Sequence, residues 1–362
     1  MLIVDGHEDI AWNMLTFGRD PNRPVAETRA LEMGSEIPTH TGAALLGWPE
    51  WVAGRVGVVF ATLFAAPIRR KVGPWERMCY RDPEEARALY LASLDAYKRL
   101  TDRHADRFQL IGSRTVLNEV LKTWVPDPPR APRLGLVLLM EGGDAILDLA
   151  EVEAWYAQGL RILGPAWTGT RFAGGTHEPG PLTTEGRELL QRMAEVGLAL
   201  DLSHMTEAGQ RQALDTYPGV VLASHSNALA LLPDSPNPER HLTDAVMRGL
   251  AEREGVIGLV LYNPFLVGGW KPEHGRERVT LDRVVAQVDY ICQLTGSAQH
   301  VALGSDFDGG LGLHKIPAGL DSVADLRFIG DALVARGYSP LEVEAILGGN
   351  WLSLLHRLLP EN

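Results

Sequence analysis

Apolar residues in this chain gather in short runs that are nearly continuous rather than alternating. Eight such runs stand out, at residues 2–4, 57–64, 134–140, 160–166, 197–202, 220–223, 256–262 and 301–304. A strand with one wet face alternates polar and apolar positions, whereas an unbroken apolar run of strand length marks a parallel strand buried on both faces. Between the runs lie stretches with helical spacing. Residues 83–106 carry Glu84 and Glu85 in the first turn and basic residues near the end, as a helix dipole favours. Residues 183–196 open with a threonine followed by an acidic residue, close to a capping box. Segments 243–254, 281–294 and 323–336 repeat the pattern, and 340–359 predicts a helical C-terminus. Strand and helix alternating eight times predicts an α/β fold, a closed (β/α)8 TIM barrel, with 1–362 as one domain. Residues 20–49 are polar with Gly and Pro and read as a long excursion between the first strand and the first helix. The Gly-rich segment 169–180 reads as a loop and a lid, and 126–132 as a proline-rich connector.

Bulk properties narrow the function classes. A chain of 362 residues can bury a large core, and its net charge of −12 argues against a nucleic-acid partner, which needs basic patches. Its two cysteines, Cys79 and Cys292, cannot staple a chain this long and point to a reducing, cytoplasmic setting. The N-terminus lacks a basic segment before its short apolar run, and no apolar stretch approaches the roughly 18 residues of a membrane span. The expectation is a protein without signal peptide, membrane helix or lipid anchor.

Polar residues sit where the runs end. The first run leads into Asp5-Gly6-His7-Glu8-Asp9, the third into Glu141-Gly142-Gly143, the fifth into Asp201-Leu202-Ser203-His204, the sixth into Ser224-His225-Ser226 and the eighth into Ser305-Asp306-Phe307-Asp308. In a barrel of this type these ends share one rim, where active sites are built. Side chains two apart on a strand point the same way, so His7 and Asp9 can reach one ion while Glu8 faces away. Imidazole suits zinc and carboxylate suits zinc or another, harder divalent ion, and a carboxylate can bridge two ions through its two oxygens. A carboxylated lysine, the bridge used in many metal-dependent hydrolase barrels, is closed to strands three to six because no Lys lies between Lys122 and Lys271. Glu141 is the available bridge. Each residue also has a plainer reading: His7 as a turn residue, Glu141 as a helix cap, His204 and His225 as core histidines, and Asp306 or Asp308 as turn formers, Asp308 above all. The other eight histidines, His40 among them, read as surface or supporting residues. No G-x-S-x-G elbow and no phosphate-binding loop occur.

Taken together, these segments resemble the membrane (renal-type) dipeptidases. "VDGHEDI" is similar to their D-G-H-N-D-L opening and "MEGG" to their third-strand glutamate segment. "PLTTEGRELLQRMAEVGLALDLSH" resembles their L-T-x-x-G…D-L-S-H block, and "ASHSNA", "GSDFDGG" and "GNWLSLL" follow in family order. The resemblance spans nearly the whole chain. It implies a barrel with two zinc ions, His7 and Asp9 on one, His204 and His225 on the other, and Glu141 between them. It assigns Asp306 to proton transfer and Arg240, in "ERHLTDAVM", to the substrate's terminal carboxylate, with Trp167 and Tyr262 also lining the substrate. A homodimer is expected from the family alone.

Two departures stand out. Glu8 replaces an asparagine at an outward position expected to matter little. "GPAWTGT" puts Trp167 where the mammalian enzymes carry a histidine, and Trp donates one N–H and accepts no proton. A counterpart of the animal enzymes' membrane anchor is not expected.

The function this predicts is a binuclear zinc dipeptidase acting on small dipeptides, including those with a C-terminal D-residue. One rival is the same site acting on another amide, such as an N-acyl-D-amino acid, a lactam or a lactone. The other is a barrel that binds metal or ligand without turnover.

Overall fold

In a computed structural model, which describes residues 1–125 and 131–362, the first apolar run forms strand β1 (Ile3–Glu8). The others follow as β2 (Val56–Leu63), β3 (Leu134–Glu141), β4 (Leu160–Gly164), β5 (Ala199–Asp201), β6 (Val221–Ala223), β7 (Val256–Leu259) and β8 (Val301–Leu303). All pair in parallel in chain order, and β1 closes the ring on β8 with Asp5 opposite Leu303. The fold is the expected α/β barrel. A short strand, Phe108–Leu110, pairs with the start of β3 beside the ring.

The unbroken apolar runs have a direct physical origin. Val58 and Phe60 of β2 and Val137 and Leu139 of β3 fill the lumen, together with Val4, Ile162, Leu222 and Ala302. The residues between them, such as Val59, Ala61, Leu136 and Leu138, pack outward against the helices. Both faces are dry, so neither tolerates a polar alternation. The lumen is completed by Trp351, whose Nε1 donates to the Leu303 carbonyl at 2.7 Å. Its ring approaches β1 and β7 closely enough that a Cβ on Gly6 or Gly258 would stand 2.7 or 3.0 Å from it.

The helices match the sequence pattern at several points. Asp82 caps Pro83–Arg103, accepting from Glu85 N, and Thr183 caps Thr184–Val196, accepting from Gly186 N. Three expectations need correction. The 20–49 excursion is not loop throughout, since it holds the helices Val25–Glu32, Ile37–Thr41 and Trp48–Gly54. Helices Glu151–Ala157 and Glu207–Thr216 were not anticipated from the pattern, being short and only partly amphipathic. The 169–180 segment is not loop throughout: Ala173–Gly175 pairs with Glu178–Leu182 as an antiparallel hairpin. Most of the proline-rich connector, 126–130, lies outside the described residues. Among the described residues no helix is long and apolar enough to cross a membrane.

Candidate metal centre

The strand ends that carry polar residues converge at one mouth of the barrel. His7 and Asp9 face the mouth, with His7 Nε2 3.7 Å from Asp9 Oδ2, and Glu8 faces away, as a two-residue strand repeat requires. Glu141, from the end of β3, divides its two oxygens. Oε1 lies 3.0 Å from His204 Nε2 and 3.3 Å from His225 Nε2, while Oε2 lies 3.9 Å from His7 Nε2. Asp306 Oδ1 is also 3.9 Å from His7 Nε2. The five residues expected to hold metal, and Asp306 beside them, are thus brought together from five strand ends.

Backbone geometry aims several of them. His204 and Asp306 have φ of 65° and 60°, in the left-handed region that costs a residue with a Cβ free energy and is held by surrounding structure. Gly309 leaves room for the cluster, because a Cβ there would stand 2.1 Å from Asp306 Oδ1 and 2.7 Å from Asp9 Oδ2.

The imidazoles are oriented from behind. Thr176 Oγ1, on the hairpin, lies 2.9 Å from His204 Nδ1, and Ser224 Oγ lies 2.8 Å from His225 Nδ1. Ser224 Oγ donates in turn to Asp201 Oδ2 at 2.5 Å, and Asp201 Oδ1 accepts from the Ser203 and Ser224 N–H groups at 2.9 Å each. Asp5 and Ser305 make a similar pair across β1 and β8. With each Nδ1–H donating backward, both Nε2 lone pairs face one point, 2.9 Å apart. Two such lone pairs repel unless a proton or a cation lies between them.

The remaining atoms fit a cation as well. His7 Nδ1, His7 Nε2 and Asp9 Oδ1 are buried without a hydrogen-bond partner among the described residues, a costly state for polar atoms. Two sets, His7–Glu141–His225 and His7–Asp9–Asp306, each offer ligand atoms within 4.8 Å of one another. Electrostatics agree. Burial holds the His204 and His225 imidazoles neutral, the form that ligates metal. It also pushes the Glu141 and Asp306 carboxyls upward, so in the absence of a cation the cluster retains protons. At His7 burial opposes the charge, but Glu141, Asp9 and Asp306 outweigh it and raise the imidazole to about 10.

A cavity of about 350 Å³ opens over the cluster, walled by Phe64, Trp167, Tyr262 and Phe265 and reached by Arg240. Arg240 is 4% exposed and has no carboxylate partner among the described residues; it donates to Ser226 Oγ at 3.1 Å and lies over the Phe265 ring. Trp167 stands beside both Phe64 and His204, with ring centroids 5.1 and 6.1 Å away. The hairpin is tied down by Arg69 and Arg70, which both bind the Glu178 carboxylate.

Two further expectations are corrected here. Glu8 is outward of the lumen but fully buried, its carboxyl pushed well up by burial and hydrogen-bonded to Trp51 Nε1, so the position is not indifferent. Asp308 is more than a turn former: it accepts from Leu45 and Leu46 N–H and sits 3.4 Å from Arg19, pinning the excursion to the rim. His40, read as a surface or supporting residue, stacks on Trp75 at the cavity mouth. Thr176, Ser224, Asp201 and Gly309 received no role from the sequence. The Asp-x-Ser and Ser-His pairs at the strand ends were the signal for Asp201 and Ser224; nothing in the local sequence marked Thr176 or Gly309.

Comparison with known proteins agrees with this geometry. The family model for membrane dipeptidases, peptidase family M19, matches residues 1–358. The dipeptidase aclJ of Aspergillus oryzae is 28% identical over an alignment of 376 positions, covering 98% of this chain and 77% of the relative. The solved structure of dipeptidase AC, a metallopeptidase of family M19, superposes with a TM-score of 0.78 at 25% identity, over 99% of this chain and 98% of that one. A Rhodobacter sphaeroides metallopeptidase liganded with a phosphinate mimic of the dipeptide L-Ala-D-Ala shares the fold, with a TM-score of 0.77 and 24% identity over 99% of each chain. The chain belongs to the membrane dipeptidase family, peptidase family M19, and is a metal-dependent hydrolase of the dipeptidase class.

Proposed function

We propose that this dipeptidase works with two zinc ions and accepts small dipeptides, including those with a D-residue at the C-terminal position. The observation that carries the binuclear reading is Glu141, whose two oxygens face different nitrogen sets. His7 and Asp9 would hold one cation and His204 and His225 the other, with Glu141 between; a mixed imidazole and carboxylate set favours zinc. When bound, the pair supplies Lewis acidity to the scissile carbonyl and lowers the pKa of water.

The chain's own residues do the rest. Arg240 offers a two-pronged guanidinium to the substrate's terminal carboxylate, in a site dry enough to strengthen the contact. Asp306, with its carboxylate at the cavity floor, takes the proton of the attacking water and passes it to the leaving amine nitrogen. Tyr262 and Phe265 line the same cavity, and Trp167 gives it an apolar wall that moves no proton. A D-residue belongs to the proposal because the Rhodobacter fold relative is liganded with an L-Ala-D-Ala mimic.

The test is hydrolysis of a dipeptide panel with L- or D-residues at the second position, before and after chelation, alongside metal analysis. Activity undiminished in the stripped protein refutes the reading. The Trp167–Phe64 wall favours one second reading, an N-acyl-D-amino acid whose acyl group packs there. Faster turnover of N-acylated amino acids than of free dipeptides would select it.

A further inference from the structure

One cation in the cavity has no part in the reaction above. Lys315 ends the short turn Leu313–Lys315 after β8 and lines the same cavity as Arg240 and Asp306. Its surroundings are unusual for a lysine. The side chain is half-buried, and its hydrogen bond is a long one, 3.4 Å to the Gly310 carbonyl. Burial alone draws its ammonium below the ordinary lysine value, with no carboxylate among the described residues near enough to oppose the shift. A lysine with a free choice keeps its head in water and only its stem against the protein. Holding the head partly out of water with one long hydrogen bond and no paired carboxylate among the described residues costs free energy that an incoming anion would offset.

The other charged groups at the mouth are already engaged. Arg70 donates to Glu178 at 3.0 Å and to the His177 carbonyl at 3.1 Å. Glu76 accepts from Val72 N at 2.7 Å. Lys315 is left with open capacity, and Gly309 and Gly310 put no side chain between it and Asp306.

Its place in the barrel says what the anion would be. Arg240 follows β6, Tyr262 follows β7 and Lys315 follows β8, and these three strands are consecutive around the ring. A substrate with its terminal carboxylate on Arg240 therefore has its C-terminal residue on the arc that Lys315 closes. We propose that Lys315 is a specificity-determining residue, a second anion subsite that selects dipeptides whose C-terminal residue carries an acidic side chain. This rests on the dipeptidase reading with Arg240 as the carboxylate anchor.

The decisive comparison is Ala-Asp against Ala-Asn, nearly equal in shape and different in charge, with the second residue in both L and D forms. The wild-type metalloprotein is expected to favour Ala-Asp by about tenfold in kcat/KM, chiefly through KM, and to lose that preference as salt is raised. Lys315→Met should bring the Asp/Asn ratio to near one, and Lys315→Arg should keep it above one. Hydrolysis of Ala-Asn without preference for Ala-Asp, or a preference that survives in Lys315→Met, overturns the subsite and leaves the dipeptidase reading standing. Hydrolysis of neither peptide, nor of any neutral dipeptide, overturns both. Should Lys315→Met fail to fold, the wild-type ratio and its salt dependence still decide.

Discussion

Replacing Arg240 with methionine separates substrate anchoring from structural support. Arg240 is 4% exposed, with Ser226 Oγ at 3.1 Å and the Phe265 ring as neighbours of its guanidinium and no acid among the described residues paired to it. Burial already depresses its pKa, so the protein bears a cost for keeping the charge there. Methionine keeps most of the stem's volume and removes that charge, and the melting temperature is expected to hold or rise. Activity should fall sharply. A charge-assisted hydrogen bond is worth roughly 1.5–3 kcal/mol, and a two-pronged contact roughly 3–6 kcal/mol, or about 10²–10⁴-fold in kcat/KM. The assay compares a dipeptide with its C-terminal amide, which lacks the carboxylate. Wild type should favour the acid by a factor of that order, and Arg240→Met should treat the two alike. A preference for the acid that persists in the variant refutes the anchor. An equal loss on both substrates refutes it too, since that pattern means Arg240 supports the site rather than the substrate.

Other perturbations test other parts of the site. Gly309→Ala places a methyl group 2.1 Å from Asp306 Oδ1, so hydrolysis should drop at least about a hundredfold while circular dichroism stays native; normal turnover would mean the cluster tolerates displacement. Ser224→Ala removes the acceptor behind His225 Nδ1 and should weaken metal affinity by about 10–100-fold in a competition titration. His241 is buried and its pKa falls to about 3, through burial first and the neighbouring Arg240 second. Its unfolded value is about 6.5, so the unfolded chain binds the extra proton between the two, and stability present above about pH 6.5 is lost as pH falls. His241→Gln should therefore lose less stability than wild type between pH 7 and 5, by about 2 kcal/mol in denaturant titrations. Parallel pH profiles for the two proteins would contradict the buried, neutral assignment.

The barrel was legible because its cause is local. A strand with two dry faces must be apolar at every position, so β2 and β3 announce themselves as unbroken runs. The ligand candidates were legible for a related reason: a charged residue directly after such a run can only lie at the rim. Glu151–Ala157 and Glu207–Thr216 left a weak trace, since a helix this short gains its stability from packing rather than from its own periodicity. Glu8 misled because a two-residue repeat says which way a side chain points and nothing about what covers it. Trp51, 43 residues on, supplies that cover.

By itself, then, the order of residues determined the barrel and the rim that carries the polar groups, because strand period and burial act over a few neighbouring positions. Only the tertiary structure decided the rest. Which oxygen of Glu141 faces which imidazole, that the Thr176 hydroxyl stands behind His204, and the lone position of Lys315 at the mouth all depend on chain segments far apart in sequence. Such contacts are set when the ring closes and the loops dock, and no short stretch of sequence contains both partners.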